Sequence, residues 1–506
     1  MKDYRKLAIV IGIKVILMVY GATAFAQTRS VRLDSLFTMR NKGGMFNGNV
    51  LIAENGNIVY QQAFGFANLE RKIANTTSSR SDLGSVSKLF TAVAVLQLKE
   101  AGRIKLEDLV IKYLPDFPYP NIRIRHLLTH TSGLPDFQIF DPYYTDDPHR
   151  ILTNKDVIPG IIKFGRLLFE PGEKWSYSSP GMALLASIVE KVSGLAFEKY
   201  LTKYIWKPAG MFHTYINSLS APVKDTNRVE NYATSDFFST SLYLADTMRT
   251  HIQFSQISGA LLGPGLVASD TRDLFLFDQA LYSGTLLSQS TMKEAFTPIK
   301  LNNGEYAMPE PWLGQTRFGL GWFILETNPA EKMVLHTGKH AGIVTVFIRN
   351  LSTRQTLVMF DNAGSYGLNN TALNAFYILN RKPLIPLKRS LAKLYGRALT
   401  AKDIDFAICQ FNELKSDTLN YYLNVQEMDY AGHLLLNQGH RKEGLETLKL
   451  LTLIDPANSF PYYSYGLGLE QIEKNNEAVM MYRKAIAVNA NDKYAITALE
   501  RLLKKL

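Results

Sequence analysis

At 506 residues, 46% hydrophobic and 20% charged, the chain is too long for one ordinary core and too balanced in composition for a disordered or fibrous protein, so two or three globular domains are expected. Part of its formal charge of +11 comes from Lys2, Arg5, Lys6 and Lys14 at the amino end; no arginine-rich stripe or aromatic-interleaved basic motif accompanies the rest, which argues for a solvated surface and against nucleic acid as a partner. Cys409 is the single cysteine, so an intramolecular disulfide is excluded, and the expected role is that of a small buried hydrophobe.

Residues 1–26 have the pattern of an export leader: a basic start, an apolar stretch from Leu7 to Tyr20 interrupted by Lys14, then Ala24-Phe25-Ala26 before Gln27. Cleavage after Ala26 is expected, with the remainder periplasmic or secreted and without a stable membrane span; an uncleaved anchor is the alternative. No cysteine stands at the cleavage point, which argues against a lipoprotein. Residues 31–39 pattern as a short amphipathic helix. The runs 50–53 and 58–65, joined by Glu54-Asn55-Gly56-Asn57, predict a β-hairpin.

Asp82-Leu83-Gly84-Ser85-Val86-Ser87-Lys88 then opens an apolar run from Leu89 to Leu98. On a helix Ser85 and Lys88 share a face, so an amine can take the proton of a hydroxyl if burial keeps that amine from being charged. The spacing alone is weak, since Ser290–Lys293 and Ser390–Lys393 repeat it. Only Ser85 follows a glycine and begins an apolar helix. His126 and His130 are four apart in Ile124–His130, a spacing that could hold a metal, but no glutamate lies between them and no metal is expected. A Pro171-Gly172 turn delivers Tyr177 ahead of an apolar helix, Met182 to Val192, closed by Gly194. Residues 222–258 are polar and irregular by pattern, and 302–317 read as a surface loop. Between them Leu266 to Leu274 reads as a capped helix start with a structural role. A strand at 318–323, a strand carrying His336-Thr337-Gly338-Lys339, and a strand pair at 344–349 and 356–361 follow.

The segments Gly84-Ser85-Val86-Ser87-Lys88, Arg125-His126-Leu127-Leu128-Thr129-His130-Thr131-Ser132-Gly133-Leu134, Tyr177-Ser178-Ser179 and His336-Thr337-Gly338 together resemble the serine β-lactamase and penicillin-binding-protein superfamily, in the branch of class C β-lactamases, DD-peptidases, D-aminopeptidases and related esterases. The resemblance covers roughly residues 30 to 380. It implies an α+β fold, an antiparallel sheet flanked by helices plus an all-helical subdomain. It also implies a serine hydrolase without cofactor that acts through an acyl-enzyme on a small-molecule or peptide substrate. By the same resemblance Ser85 is the nucleophile, Lys88 and Tyr177 manage its proton, and the backbone N–H groups of Ser85 and Lys339 form the oxyanion hole. Ser179, His336, Thr337 and Gly338 bind substrate, Gly338 by letting the substrate backbone approach. Near two cations the Tyr177 phenol is expected to ionise more easily. The family pattern is usually Tyr-x-Asn, and Ser179 stands where the asparagine would be, which leans away from efficient β-lactamase action. A D-Ala-D-Ala-type peptidase or amidase is the leading reading; a carboxylesterase, a weak β-lactamase, or a non-catalytic muropeptide or β-lactam sensor are the alternatives.

After the proline-marked linker 381–389, residues 390–506 are helical by pattern. Positions 34 apart repeat, Gly432 with Gly466 and Leu448 with Tyr482, which resembles tetratricopeptide repeats. Two repeats are few for a free array, so the tail is expected to pack on helices from Ser390 to Leu419 or on the catalytic domain, with 492–506 as its capping helix. A peptide or protein partner for this tail is the functional expectation, a stabilising cap the bland one.

Overall fold

The computed structural model describes residues 29–147, 149–248, 259–307, 316–328, 331–365 and 367–506. The export leader read at 1–26 lies outside them. Among the described residues no single helix is long and apolar enough to cross a membrane. The chain divides into two compact units. One holds residues up to 233 together with 242–385, and the other holds 386–506 together with Thr234–Ser241.

The first unit is built on a seven-stranded antiparallel sheet. Helix α1 (residues 29–42) precedes the hairpin β1 (Gly48–Glu54) and β2 (Asn57–Phe64), whose turn takes Asn55 and Gly56 to φ 52° and 79°. Those two left-handed residues match the right-handed twist of the strands they join. The rest of the sheet comes from β3 (Thr316–Phe318), β4 (Phe323–Asn328), β5 (Glu331–His340), β6 (Ile343–Asn350) and β7 (Gln355–Asp361). The spatial order is β3-β4-β5-β6-β7-β1-β2, so the first hairpin closes against the last strand. The strand expected at 318–323 is instead a corner: Gly319 and Gly321, the latter at φ 84°, turn the chain between β3 and β4.

Against the sheet lies α2 (Lys88–Glu100), which is buried on every side from Lys88 to Leu96 and so is a core helix rather than a surface one. Phe90 packs edge-on to Trp206 and lies 4.7 Å from Phe277. Around α2 pack α3 (Ile124–Leu128) and α4 (Ser179–Ser193). Helix α4 begins three residues before Met182 because Ser178 caps it, its hydroxyl accepting from Gly181 N, with Pro180 in the first turn and Gly194 ending it at φ 74°. Helix α3 ends at Leu128 and His130 sits at φ 56°, so His126 and His130 do not share a helical face. Helix α5 (Thr271–Tyr282), capped by Asp270, is tied to the sheet by a buried ion pair between Asp278 and Arg349 of β6; Thr356 of β7 donates to the same carboxylate and the guanidinium lies over the Tyr282 ring. Helix α6 (Leu368–Leu379) completes the unit. The stretch expected to be irregular, 222–258, holds a two-stranded ribbon, Tyr232–Thr234 with Leu242–Leu244.

The second unit is a run of paired helices: α7 (Leu391–Ala401), α8 (Ile404–Leu414), α9 (Val425–Asn437), α10 (Arg441–Ile454), α11 (Ser459–Gln471), α12 (Asn475–Val488) and α13 (Lys493–Leu503). Its glycines are contact points. A side chain on Gly432 would meet Leu448 at 2.6 Å, and one on Gly466 would meet the Tyr482 ring at 2.5 Å, so the repeated positions are those where helices cross closely. Helices α7 and α8 share a core with Met428, Ala431, Leu435 and Leu451. Phe238, from the Thr234–Ser241 segment, fills the space over Gly396 of α7, and Arg397 Nε donates to its carbonyl. Cys409 is exposed on α8, not buried as expected, because the buried face of that helix is carried by Ala407 and Phe411.

Two measurements test this packing. Asp278→Ala leaves the Arg349 guanidinium buried and unpaired and is expected to cost about 3–5 kcal/mol in chemical denaturation, whereas the double variant Asp278→Leu with Arg349→Met costs far less. In Gly338→Ala the new Cβ would sit 2.0 Å from the Leu83 carbonyl oxygen, and the expected result is a loss of about 3 kcal/mol or more in the same assay.

Candidate active site

Ser85 lies in a 3-10 turn, Gly84–Ser87, that runs directly into α2, so Lys88 is the first residue of the α-helix rather than its second turn. Lys88 Nζ donates to Ser85 Oγ at 2.9 Å and to the Pro264 carbonyl at 2.8 Å. The lysine is 1% exposed, and burial lowers its pKa from 10.5 to about 7, with the charge of Asp136 opposing that fall. Ser85 itself is half-buried and so remains reachable.

The turn is pinned from several sides. Leu83 N donates to Val267 O, Val267 N donates to Ser87 Oγ, and Thr345 Oγ1 donates to Leu83 O. Thr91 Oγ1 donates to Gly263 O, which fixes the 263–264 turn that carries the Pro264 carbonyl. Gly263 sits at φ 106°, and a side chain there would meet Met182 O at 2.5 Å. This turn was not singled out in the sequence: a backbone carbonyl has no residue-type signal, and only the paired Gly263 and Gly265 around Pro264 hint at a forced corner.

Tyr177 lies over the same atoms: Lys88 Nζ stands 4.9 Å from its ring centre, and Ser85 is among the groups that act on its phenol. The expectation that neighbouring cations would ease its ionisation is corrected: burial dominates and pushes the phenol well above its ordinary value, so Tyr177 is a neutral hydroxyl here. The ring is wedged by His130 at 4.5 Å, Trp175 at 6.2 Å and His336 at 6.5 Å. His130 Nδ1 accepts from Ser178 N, which orients the Tyr177-Ser178-Ser179 segment and gives the histidine a structural reason for its position. Burial and Lys88 hold His130 well below its usual value and take His336 down to about 3, so both rings are neutral.

His336 Nδ1 is 2.7 Å from the Thr337 carbonyl and therefore carries the proton, leaving Nε2 as a bare acceptor without a partner among the described residues. Along β5 the pleat puts His336, Gly338 and His340 on one face and Thr337 and Lys339 on the other, half-buried and exposed respectively. Pairing with β4 stops at Leu335, so this stretch is laddered on its β6 side only among the described residues. The protein itself needs the missing side chain of Gly338: Leu83 O and Thr345 Oγ1 occupy the space a Cβ would need. Gly84, at φ 52°, closes on the same strand, with the position of a Cβ 3.0 Å from Lys339 N. The turn that carries Ser85 therefore lies against the backbone of Gly338 and Lys339.

Ser179 is buried at the first position of α4. Its N–H donates to Asp136 Oδ1 at 2.7 Å. His126 Nδ1 accepts from Arg123 N at the start of α3, away from His130. Among the described residues, His213, Asp270 and Asp273 form a group that could hold a metal ion. Their atoms are engaged in capping α5 and in holding the 213–214 backbone.

Comparison with known proteins agrees with this geometry. The family described as Beta-lactamase matches residues 26–379. Penicillin-binding protein 4* of Bacillus subtilis (strain 168) is 36% identical over 342 residues, 66% of this chain and 72% of that protein. Two solved structures share the fold: an octameric penicillin-binding protein homologue from Pyrococcus abyssi, at 24% identity and TM-score 0.58 over 69% of this chain and 77% of its own, and a D-amino acid amidase from Ochrobactrum anthropi SV3, at 20% identity and TM-score 0.58 over 70% and 100%. A nucleophile turn, a buried amine and a phenol gathered at the end of α2, on a chain matched by that family over most of its first unit, make this protein a serine hydrolase of the β-lactamase family.

Proposed function

We propose that the protein is a secreted hydrolase that forms an acyl-enzyme on Ser85 and cleaves peptide or amide bonds of the D-amino-acid type found in cell-wall peptides. The observation that carries this reading is the contact between Lys88 Nζ and Ser85 Oγ, with the amine buried and lowered to a pKa of about 7, so that a large fraction is neutral at neutral pH. Neutral Lys88 takes the Ser85 proton as Oγ bonds to the substrate carbonyl carbon, and the N–H groups of Ser85 and Lys339 stabilise the oxyanion. The neutral Tyr177 hydroxyl gives its proton to the departing nitrogen as it takes the one Lys88 has accepted, so that phenol and amine are both neutral again. Water then attacks the ester by the reverse route and releases the acid. The resemblance to a penicillin-binding protein and to the D-amino acid amidase fold supports this substrate class, as does the one-sided ladder of β5, along which an extended peptide can lie. A carboxylesterase is the second reading. It is favoured by Ser179, which leaves that position without a side-chain amide for an acylamido group.

The amino-terminal pattern supports export to the periplasm or beyond. The 34-residue period, with its glycine contacts at Gly432 and Gly466, supports a tetratricopeptide-like reading of the helical unit and a peptide or protein partner for it.

Mass spectrometry after a penicillin or fluorophosphonate challenge is expected to find the adduct on Ser85, and in Ser85→Ala neither adduct nor turnover above about a thousandth of the parent rate. An adduct on another residue overturns the assignment, and none at all favours a binding protein. Hydrolysis of a D-amino-acid amide beside a nitrophenyl ester separates peptidase from esterase. The acylation rate is expected to climb as pH rises through about 7, because the amine acts only once its proton is lost; a rate flat across that region rules out Lys88 as the base.

A further inference from the structure

Tyr177 stands on neither a helix nor a strand: it lies in the loop between the Pro171-Gly172 turn and the start of α4 at Ser179. A proton donor displaced by about 1 Å transfers far less well, so a donor on a loop needs something to fix it.

The groups that hold it come largely from one residue. His130, 1% exposed, accepts on both sides of Tyr177: its carbonyl takes the Ser176 N–H at 2.9 Å and its ring Nδ1 takes the Ser178 N–H at 3.2 Å. The imidazole also lies 4.5 Å from the Tyr177 ring, and it is itself backed by Phe318 at 5.2 Å and Trp175 at 6.0 Å. Further along, the Thr131 carbonyl accepts from Gly172 N and the Gly133 carbonyl from Leu168 N, so residues 130–133 run beside 168–178. His130 does this from φ 56°, a left-handed conformation uncommon for a residue with a side chain, in which its carbonyl and its ring both meet the same neighbouring segment. Burial keeps the ring neutral, so Nδ1 can accept and Nε2 carries the proton.

We propose that His130 is the positioning residue of Tyr177: with its carbonyl and Nδ1 on the two flanking N–H groups and its ring against the phenol, it fixes the hydroxyl where it can deliver a proton to the leaving group. The proposal rests on the acyl-enzyme reading above, with Tyr177 as the donor. His130 acts through Tyr177 and touches no reacting atom. It therefore matters in proportion to how much the leaving group needs a proton: an amide nitrogen or an alkoxide departs only when protonated, whereas a nitrophenolate departs as the anion.

The test compares three substrates built on one acylated D-amino acid, its amide, its methyl ester and its nitrophenyl ester, with the full chain. The quantity read is kcat/KM, which reports the path from free enzyme to the acylation transition state. His130→Phe keeps a ring against Tyr177 and removes Nδ1; it is expected to lower turnover of the amide and methyl ester about a hundredfold and that of the nitrophenyl ester by less than about threefold. Tyr177→Phe should show the same selectivity, and the double variant should fall no further. His130→Asn places an oxygen where Nδ1 stood and suits a left-handed backbone, so it should return the poor leaving groups to within about tenfold of the parent. If His130→Phe does not fold, His130→Gly, which takes the backbone conformation and lacks the acceptor, is read in its place. Loss of all the substrates in equal proportion, or of none, overturns the proposal, because a merely structural role lowers the active fraction and acts on every substrate alike. If the parent turns over none of the three, or Tyr177→Phe shows no selectivity, the reading beneath falls and this proposal with it; if Tyr177→Phe is selective and the His130 variant is not, this proposal falls alone.

Discussion

An amine is expensive to keep in an apolar interior, and the first unit is arranged around one. Lys88 is 1% exposed at the end of a helix whose next eight residues are all buried, so water cannot solvate its charge. What replaces water is a short set of groups brought from distant parts of the chain: the Ser85 hydroxyl, the Pro264 carbonyl and the charge of Asp136. The balance leaves the amine near the midpoint of its titration at neutral pH rather than locked in either form. A base with that property is useful for taking a proton from an alcohol and returning it.

The surrounding shell follows from the same constraint. A second fixed cation beside Lys88 would empty the amine of protons at ordinary pH, and the two nearby imidazoles avoid this by being buried and neutral. Tyr177, held between His130 and His336, is likewise neutral and so is not an anion competing for the lysine proton. The turn at Ser85 meets β5 through Gly84 and Gly338, where backbone lies on backbone. That closeness leaves little room for a side chain at either glycine.

The helical unit obeys a different economy. Its stability comes from close helix crossings at small residues, so glycines that would weaken an isolated helix become contact points for Leu448 and Tyr482. The segment Thr234–Ser241 joins this unit by inserting Phe238 over Gly396. Nothing in that polar stretch announces such packing, since two adjacent phenylalanines, Phe237 and Phe238, among serines and threonines carry no periodic pattern.

Local signals were enough for the hairpin at Asn55-Gly56, the capped helix start within Leu266–Leu274, and the pairing of Ser85 with Lys88, because each depends on residues within a few positions of one another; the Ser178 cap, which starts its helix three residues before Met182, was missed. The order of the motifs was enough for the family. Three features were beyond such reading. Proton affinities depend on burial, so the phenol of Tyr177 went up where neighbouring charge alone suggested it would go down. A backbone group has no letter, so the Pro264 carbonyl was invisible until Gly263 turned it onto the amine. Asp136 and Ser179 are 43 residues apart, and their bond exists only because a loop and a helix start meet. The sequence by itself determined which chemical groups the protein possesses and which short-range structures carry them; the tertiary structure alone decided their charge states and partners, because desolvation and contact are properties of what surrounds a group in space.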